Sequence, residues 1–159
     1  MALSQTLVGM HYRYPDHYAV EREKIREYAR AVKNDDAVFL SEESAAELGY
    51  DALPAPLTFI SVFSYVAQTA FFEYANIGIS DRQIVQIDQK LEFFAPVTAG
   101  DKLYCDVYLD SIRQAHGTDI IVTKNIVTNQ DGTVVQEAYV TLAGRSEENG
   151  KSGFNDGTA

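Results

Sequence analysis

A single cysteine, Cys105, excludes any disulfide within one chain, and with it the small secreted folds that depend on such links. A reducing cytoplasm is the expected compartment. Basic residues are also few: 13 Lys and Arg against 23 Asp and Glu give a net charge of −10. Nucleic-acid affinity rests on clustered cations that release counterions, so a phosphate-backbone partner is excluded. The same charge repels acidic protein partners unless a local basic patch, here or on a partner chain, offsets it. Long apolar runs are missing as well. The longest uncharged stretch, Ala52 to Phe72, is broken by Pro54 and Pro56 and dotted with Thr58, Ser61, Ser64, Gln68 and Thr69. A bilayer span needs about 20 mostly apolar residues, so this stretch reads as a buried helix without membrane insertion. Met1-Ala2-Leu3-Ser4 has no basic region leading into an apolar run, so no signal peptide is expected. No internal repeat is visible.

What is present fits one globular domain. A chain of 159 residues, 46% hydrophobic and 23% charged, has an ordinary soluble composition. At that size, folding buries roughly 70% of the surface of the unfolded chain. Apolar residues at three- and four-residue steps (Ile25, Tyr28, Ala29, Val32) predict an amphipathic helix over Glu21 to Lys33. Glu21-Arg22-Glu23-Lys24 and Arg26-Glu27 form its solvated face. Ser41 as N-cap, Glu42 and Glu43 in the first turn and Gly49 as stop predict a second, short helix. From Leu57 to Ala75 apolar residues occupy nearly every face, as in a helix wrapped by protein on all sides, with Pro56 at its start.

After Asn76-Ile77-Gly78 the period becomes two. Gln83 to Phe93 sets Val85, Ile87, Leu91 and Phe93 on one side and Gln86, Asp88, Lys90 and Glu92 on the other. Leu103 to Leu109, Ile120 to Ile126 and Val134 to Leu142 alternate likewise. The connections Thr98 to Asp101, His116 to Thr118 and Asn129 to Gly132 are turn chemistry, too short for crossover helices, so the sheet is antiparallel. An α+β domain over residues 1–145 follows: one long helix wrapped by a curved antiparallel sheet, the hot-dog architecture. Open sheet edges predict edge-to-edge dimerisation. The polar, Gly-rich tail at 146–159 is expected to be disordered.

The stretch Lys33 to Phe39, followed by Ala45-Ala46-Glu47-Leu48-Gly49-Tyr50 and Ala55-Pro56-Leu57-Thr58-Phe59, resembles the MaoC-like, or R-specific hydratase, branch of the hot-dog superfamily. That branch carries the motif G-D-x-N-P-(I/L)-H. Its glycine falls on Lys33, its acid on Asn34 and its histidine on Phe39. Dehydrating a 3-hydroxyacyl thioester requires a base, an acid and donors for an enolate-like oxygen. An amide does not transfer a proton at neutral pH and a phenyl ring bears none, so no catalytic residue is assigned and Asn34 and Phe39 are degenerate positions. Across all but the tail, the chain resembles the A-type subunit of mycobacterial-type (3R)-hydroxyacyl-ACP dehydratases. The match is carried by Gly9 to Tyr18, Ile84-Val85-Gln86, Ala99 to Leu103 and Ile121 to Asn125. The sister C-type subunit shares much of this pattern; Tyr104 to Tyr108 and Ala115 to Thr118 lean toward the A type.

The resemblance implies a heterodimer in which a hydratase-like B subunit supplies the catalytic Asp and His. This chain would then line an acyl channel for acyl-ACP substrates of type II, mycolate-kind fatty-acid elongation. Ser61 and Tyr65 then lie beside the acyl chain; alternatively they are satisfied by backbone carbonyls inside a core helix. Gln86 and Asn125 reach the channel mouth, or they form an exposed polar strand face. No cofactor and no metal are implied: eliminating water across an activated C2–C3 bond needs neither, and Asp35 and Asp36 lack nearby His or Cys ligands and read as a solvated turn. His11, His17 and His116 are assigned no catalytic role, and Cys105 is a small core hydrophobe. Two other readings remain. One is a homodimeric hot-dog thioesterase with Glu73, the helix's only acid, although Glu73 lies far from the N-terminal dipole. The other is an acyl-chain-binding scaffold without enzymatic role.

Overall fold

The computed structural model describes residues 3–79, 83–146 and 153–155. Five strands form the main path of a six-stranded antiparallel sheet, in the order β1 (His11–Arg13), β5 (Lys102–Ala115), β6 (Thr118–Thr128), β7 (Val134–Arg145) and β4 (Ile84–Phe93). The short β2 (Tyr18–Ala19) also pairs with β5. The helices are α1 (Arg22–Ala31), α2 (Glu42–Glu47) and α3 (Ser61–Tyr74); α3 packs against β5 and β6, while α1 and α2 pack against the 3-10 turn Ala37–Phe39 between them. This is the expected α+β hot-dog arrangement. Among the described residues no helix is long and apolar enough to cross a membrane.

The core forms where α3 meets β5, β6 and β7. Phe59, Phe63 and Phe71 are fully buried against Leu103, Val107, Leu109 and Ile121, each aromatic ring contributing roughly 1.5–3 kcal/mol by leaving water. The helices share one ending. Lys33, Gly49 and Asn76 take positive φ just past α1, α2 and α3, and the next residue's N–H reaches back to Ala29, Ala45 and Phe72 respectively. This geometry satisfies carbonyls that the helix leaves open. Between β5 and β6, His116 and Gly117 both take positive φ, the two-residue turn that matches the twist of paired strands.

Four expectations need correction. The long helix opens as a 3-10 turn over Leu57–Ile60 and is not wrapped on all sides. Leu57, Tyr65, Val66 and Tyr74 are exposed, because the sheet of one chain covers only one face of the helix. On β4, Val85 and Ile87 are also exposed. The pairing with β7 shifts between Gln86 and Asp88, leaving Ile87 as an extra residue. Gln86, opposite Leu142, therefore shares the helix-facing side with Leu91, opposite Ala138, although the two differ in sequence parity. β1 and β2, each of two or three residues, were not expected.

The fourth correction concerns the tail. Phe154 and Asn155 form β8, which pairs with β3 (Gly78–Ile79), and Phe154 is fully buried in the core. The remainder of the tail expected to be disordered, apart from Ser146 and Gly153, lies outside the described residues. Ser146 itself is held, its Oγ donating to Asp119 at 2.9 Å.

Candidate functional site

The loop that follows α1 is fixed by local chemistry. Lys33, at φ 57°, occupies a position that glycine fills at lowest cost, since a Cβ crowds the backbone in the left-handed region. Asn34 Oδ1 accepts from the Asp36 N–H at 3.2 Å, and Asp36 Oδ1 accepts from the Val38 N–H at 3.1 Å, capping the 3-10 turn Ala37–Phe39. Both polar side chains thus turn back onto their own loop. Asp35 and Asp36 are exposed. Val38 anchors the turn in the core, and Phe39 projects into a pocket of about 180 Å³.

That pocket lies at the N-terminal end of the central helix. Phe39 and Tyr50 meet Pro54 to Leu57 and Ile60 on one side, and Phe93, Ala95 to Val97, Val135 and Gln136 on the other. Among the described residues, no carboxylate, imidazole or amine lines it. Gln136 is 1% exposed, and its Oε1 has no hydrogen-bond partner. Tyr28 ties α1 to the helix entrance, its hydroxyl donating to the Thr58 carbonyl at 3.0 Å and lying 2.8 Å from Thr58 Oγ1.

A larger groove of about 550 Å³ runs along the second half of α3. Tyr65, Gln68, Thr69, Phe72 and Glu73 form one wall, and Ile77 to Ile79, Ile84, Gln86 and Leu142 form the other. Of the four residues named as channel candidates, it brings together Tyr65 and Gln86. Tyr65 is 71% exposed, so it is no core residue satisfied inside a helix. Ser61 stands apart: its Oγ donates to the Thr58 carbonyl at 2.6 Å, an internal bond of the helix's first turn. Asn125 is fully buried and lines neither cavity, so it is not an exposed strand face.

Asn125 belongs instead to a buried polar row between helix and sheet. Gln68 Nε2 donates to Thr123 Oγ1 at 3.0 Å, while Ser64 Oγ, both amide atoms of Asn125 and Gln136 Oε1 have no partner among the described residues. Each buried polar atom left unpaired costs roughly 1–3 kcal/mol, so this row is held against stability. Gln68 and Gln136 had a visible signal. Gln68 interrupts an apolar helix, and Gln136 shares the sequence parity of Val134, Ala138, Val140 and Leu142.

Apart from Glu73, the remaining candidates fall outside both cavities. His11 Nε2 lies 2.7 Å from Asp106 Oδ1 and stacks on Tyr108, His17 contacts Asp16, and His116 occupies the hairpin turn. Glu73 lines the groove near the helix C-terminus, away from the pocket at its entrance. Cys105 is fully buried, and burial, reinforced by the Asp106 charge and opposed by Arg13, pushes its thiol up to about 12. A thiol so shifted is inert as a nucleophile near neutral pH.

Comparison with known proteins places this architecture. The model for the FAS1-like dehydratase domain region matches residues 6–138. A UPF0336 protein of Mycobacterium tuberculosis is 69% identical over 159 residues, covering all of both chains. A chain of the C-terminally truncated HadBC (3R-hydroxyacyl-ACP dehydratase) complex from Mycobacterium tuberculosis superposes with a TM-score of 0.80 at 50% identity, covering 87% of this chain and 97% of that one. A MaoC-like dehydratase gives 0.82 at 36% identity, covering 89% of this chain and 43% of its own length. The chain belongs to the UPF0336 family and carries the FAS1-like dehydratase region in a hot-dog, MaoC-like dehydratase fold.

Proposed function

We propose that this chain is the substrate-binding, non-catalytic A-type subunit of a heterodimeric (3R)-hydroxyacyl-ACP dehydratase acting in type II, mycolate-kind fatty-acid elongation. The observation that carries the reading is Phe39. It projects into the pocket at the head of the central helix from the motif position of the histidine, and among the described residues no acid, imidazole or amine joins it there. Elimination of water from a 3-hydroxyacyl thioester needs a proton acceptor at C2 and a donor at the C3 hydroxyl. This pocket supplies neither, so the proton transfers fall to a hydratase-type partner bearing Asp and His. The likeness to a chain of the HadBC complex supports such pairing.

The groove along α3 gives this chain its part. Its apolar side chains, Phe72, Ile77, Ile79, Ile84 and Leu142, suit a long acyl chain, with Tyr65, Gln68, Thr69, Glu73 and Gln86 as polar groups along it. Holding that chain fixes the thioester before the partner's catalytic pair, a contribution of proximity and not of proton transfer. The exposed apolar residues of α3 and the outer edge of β4 lie where a second hot-dog chain would complete the channel. The thioesterase reading gains nothing from Glu73, which lies at the far end of the helix from its dipole-positive start.

The test is co-expression with a hydratase-type partner that has the intact motif, followed by hydration assays on enoyl thioesters of increasing length. The expected result is a stable pair, active on long chains, with this chain alone inactive. Hydration of a crotonyl thioester by the purified chain alone would sink the proposal. A partner whose activity and length preference are the same with or without this chain would sink it too.

A further inference from the structure

A residue from near the C-terminus packs behind the far end of the groove. Ile77, Gly78 and Ile79 form the groove's last wall beside Ile84 and Leu142. Directly behind that wall lies β8: Phe154 is the cross-strand partner of Ile79, and Asn155 that of Gly78. The Phe154 ring is fully buried and rests on Gly144, itself the partner of Ile84.

The fit is close enough to dictate residue types. A Cβ on Gly144 would lie 2.8 Å from the Phe154 ring, and one on Gly153 would lie 2.7 Å from the Gly144 Cα and 2.9 Å from the Gln83 carbonyl oxygen. A side chain on Gly144 would displace the ring, and one on Gly153 would strike backbone, so Gly144 makes room for the phenyl group and Gly153 lets the two segments approach. The Gly153 N–H donates to the Arg145 carbonyl at 2.8 Å, fastening this segment to the end of β7. The ring is thus packed behind the lining residues Ile79 and Ile84 and is not itself part of the groove surface.

We propose that Phe154 braces the end wall of the acyl groove, so that its ring, through Ile79 and Ile84, determines the longest chain the groove holds; this rests on the acyl-binding role proposed above. Each methylene that enters apolar surroundings strengthens binding about fourfold, so affinity rises with chain length until the terminal methyl meets the wall that the ring braces and then levels or falls. Removing the ring extends the rising part of that series.

The test uses the full chain paired with its co-expressed hydratase-type partner and a series of straight-chain saturated fatty acids from octanoate to docosanoate, with binding read by displacement of a fluorescent fatty acid. The variants are Phe154→Ala, Phe154→Leu and Phe154→Trp; the leucine and tryptophan forms keep the test decisive if the alanine form fails to fold. The expected result is a length of tightest binding that moves upward for Leu, further upward for Ala and downward for Trp, each added methylene giving about a fourfold gain up to the new limit. An unchanged limit in folded Leu and Trp variants, with only melting temperature altered, overturns the bracing role and leaves the acyl-binding role standing. A wild-type pair that binds no member of the series overturns both.

Discussion

Gln68 on α3 and Thr123 on β6 are joined by a 3.0 Å hydrogen bond that crosses the boundary between helix and sheet, among neighbours that are mostly apolar. Both side chains are buried, so either one alone is a liability. Thr123→Val is expected to destabilise the chain by about 1–3 kcal/mol, because Gln68 loses its acceptor without regaining water. The double variant Gln68→Met with Thr123→Val should recover most of that loss. A double-mutant cycle by urea denaturation measures the coupling, and additive losses would show that the bond contributes nothing of its own.

Asn125 offers the opposite experiment. Its amide is buried with neither end paired, so Asn125→Leu is expected to raise stability by about 1–2 kcal/mol. A fall of that size, measured in the same denaturation assay, would mean that the amide is paired in solution and that the row is a satisfied network.

The Cys105 thiol gives a pH signature. Its ordinary value of 9.0 rises to about 12 on folding, first through burial and second through the Asp106 charge. The folded form therefore keeps the proton that the unfolded form releases above 9.0, so the stabilising contribution is complete below that pH and is lost as pH climbs toward 12. Across that window the thiol's share of stability should fall by about 1.4 kcal/mol per pH unit, a slope that Cys105→Ala removes. Alkylation of wild-type protein by iodoacetamide at neutral pH should occur only on unfolding; rapid labelling of the native chain would contradict the buried placement.

Restoring the motif is expected to leave the isolated chain inert. In Asn34→Asp the carboxylate inherits the bond that Asn34 makes to the Asp36 N–H and stays turned onto its own loop, while in Phe39→His the imidazole enters an apolar pocket without a second acid. Hydration of a crotonyl thioester by the double variant alone, at a rate near that of a partnered enzyme, would refute this.

Lys33 separates backbone from side-chain effects. Lys33→Gly should be neutral to slightly stabilising, since relief of the left-handed strain is offset by a looser unfolded chain. Lys33→Val should cost about 1–2 kcal/mol, because a β-branched residue is poorly tolerated at positive φ. Thermal melts of the pair distinguish the two.

Much of the architecture was legible because burial imposes periods. Leu103, Cys105, Val107 and Leu109 alternate since every second residue of β5 meets the helix, and Ser41 and Gly49 bound α2 as cap and stop. What escaped was structure too short or too irregular to have a period. β1 and β2 hold two or three residues each, and the extra residue at Ile87 breaks alternation midway through β4. Phe154 was hidden in a segment whose composition suggests disorder, because one ring and two glycines leave no compositional trace. Of the candidate site, Phe39 was placed by motif spacing alone. The polar row was only half visible, since the pairing of Gln68 with Thr123 and the isolation of Asn125 depend on how helix and sheet meet.

The extra residue at Ile87 has a consequence for assembly. Among the described residues β4 is the last strand of its sheet, and none of them pairs with its outer edge. A flat strand laid along that edge would lose its ladder hydrogen bonds where the chain kinks, so endless stacking of identical copies is discouraged. An irregularity of one residue thus protects the chain from growing into a fibre while leaving the edge usable by a neighbour shaped to follow the bend.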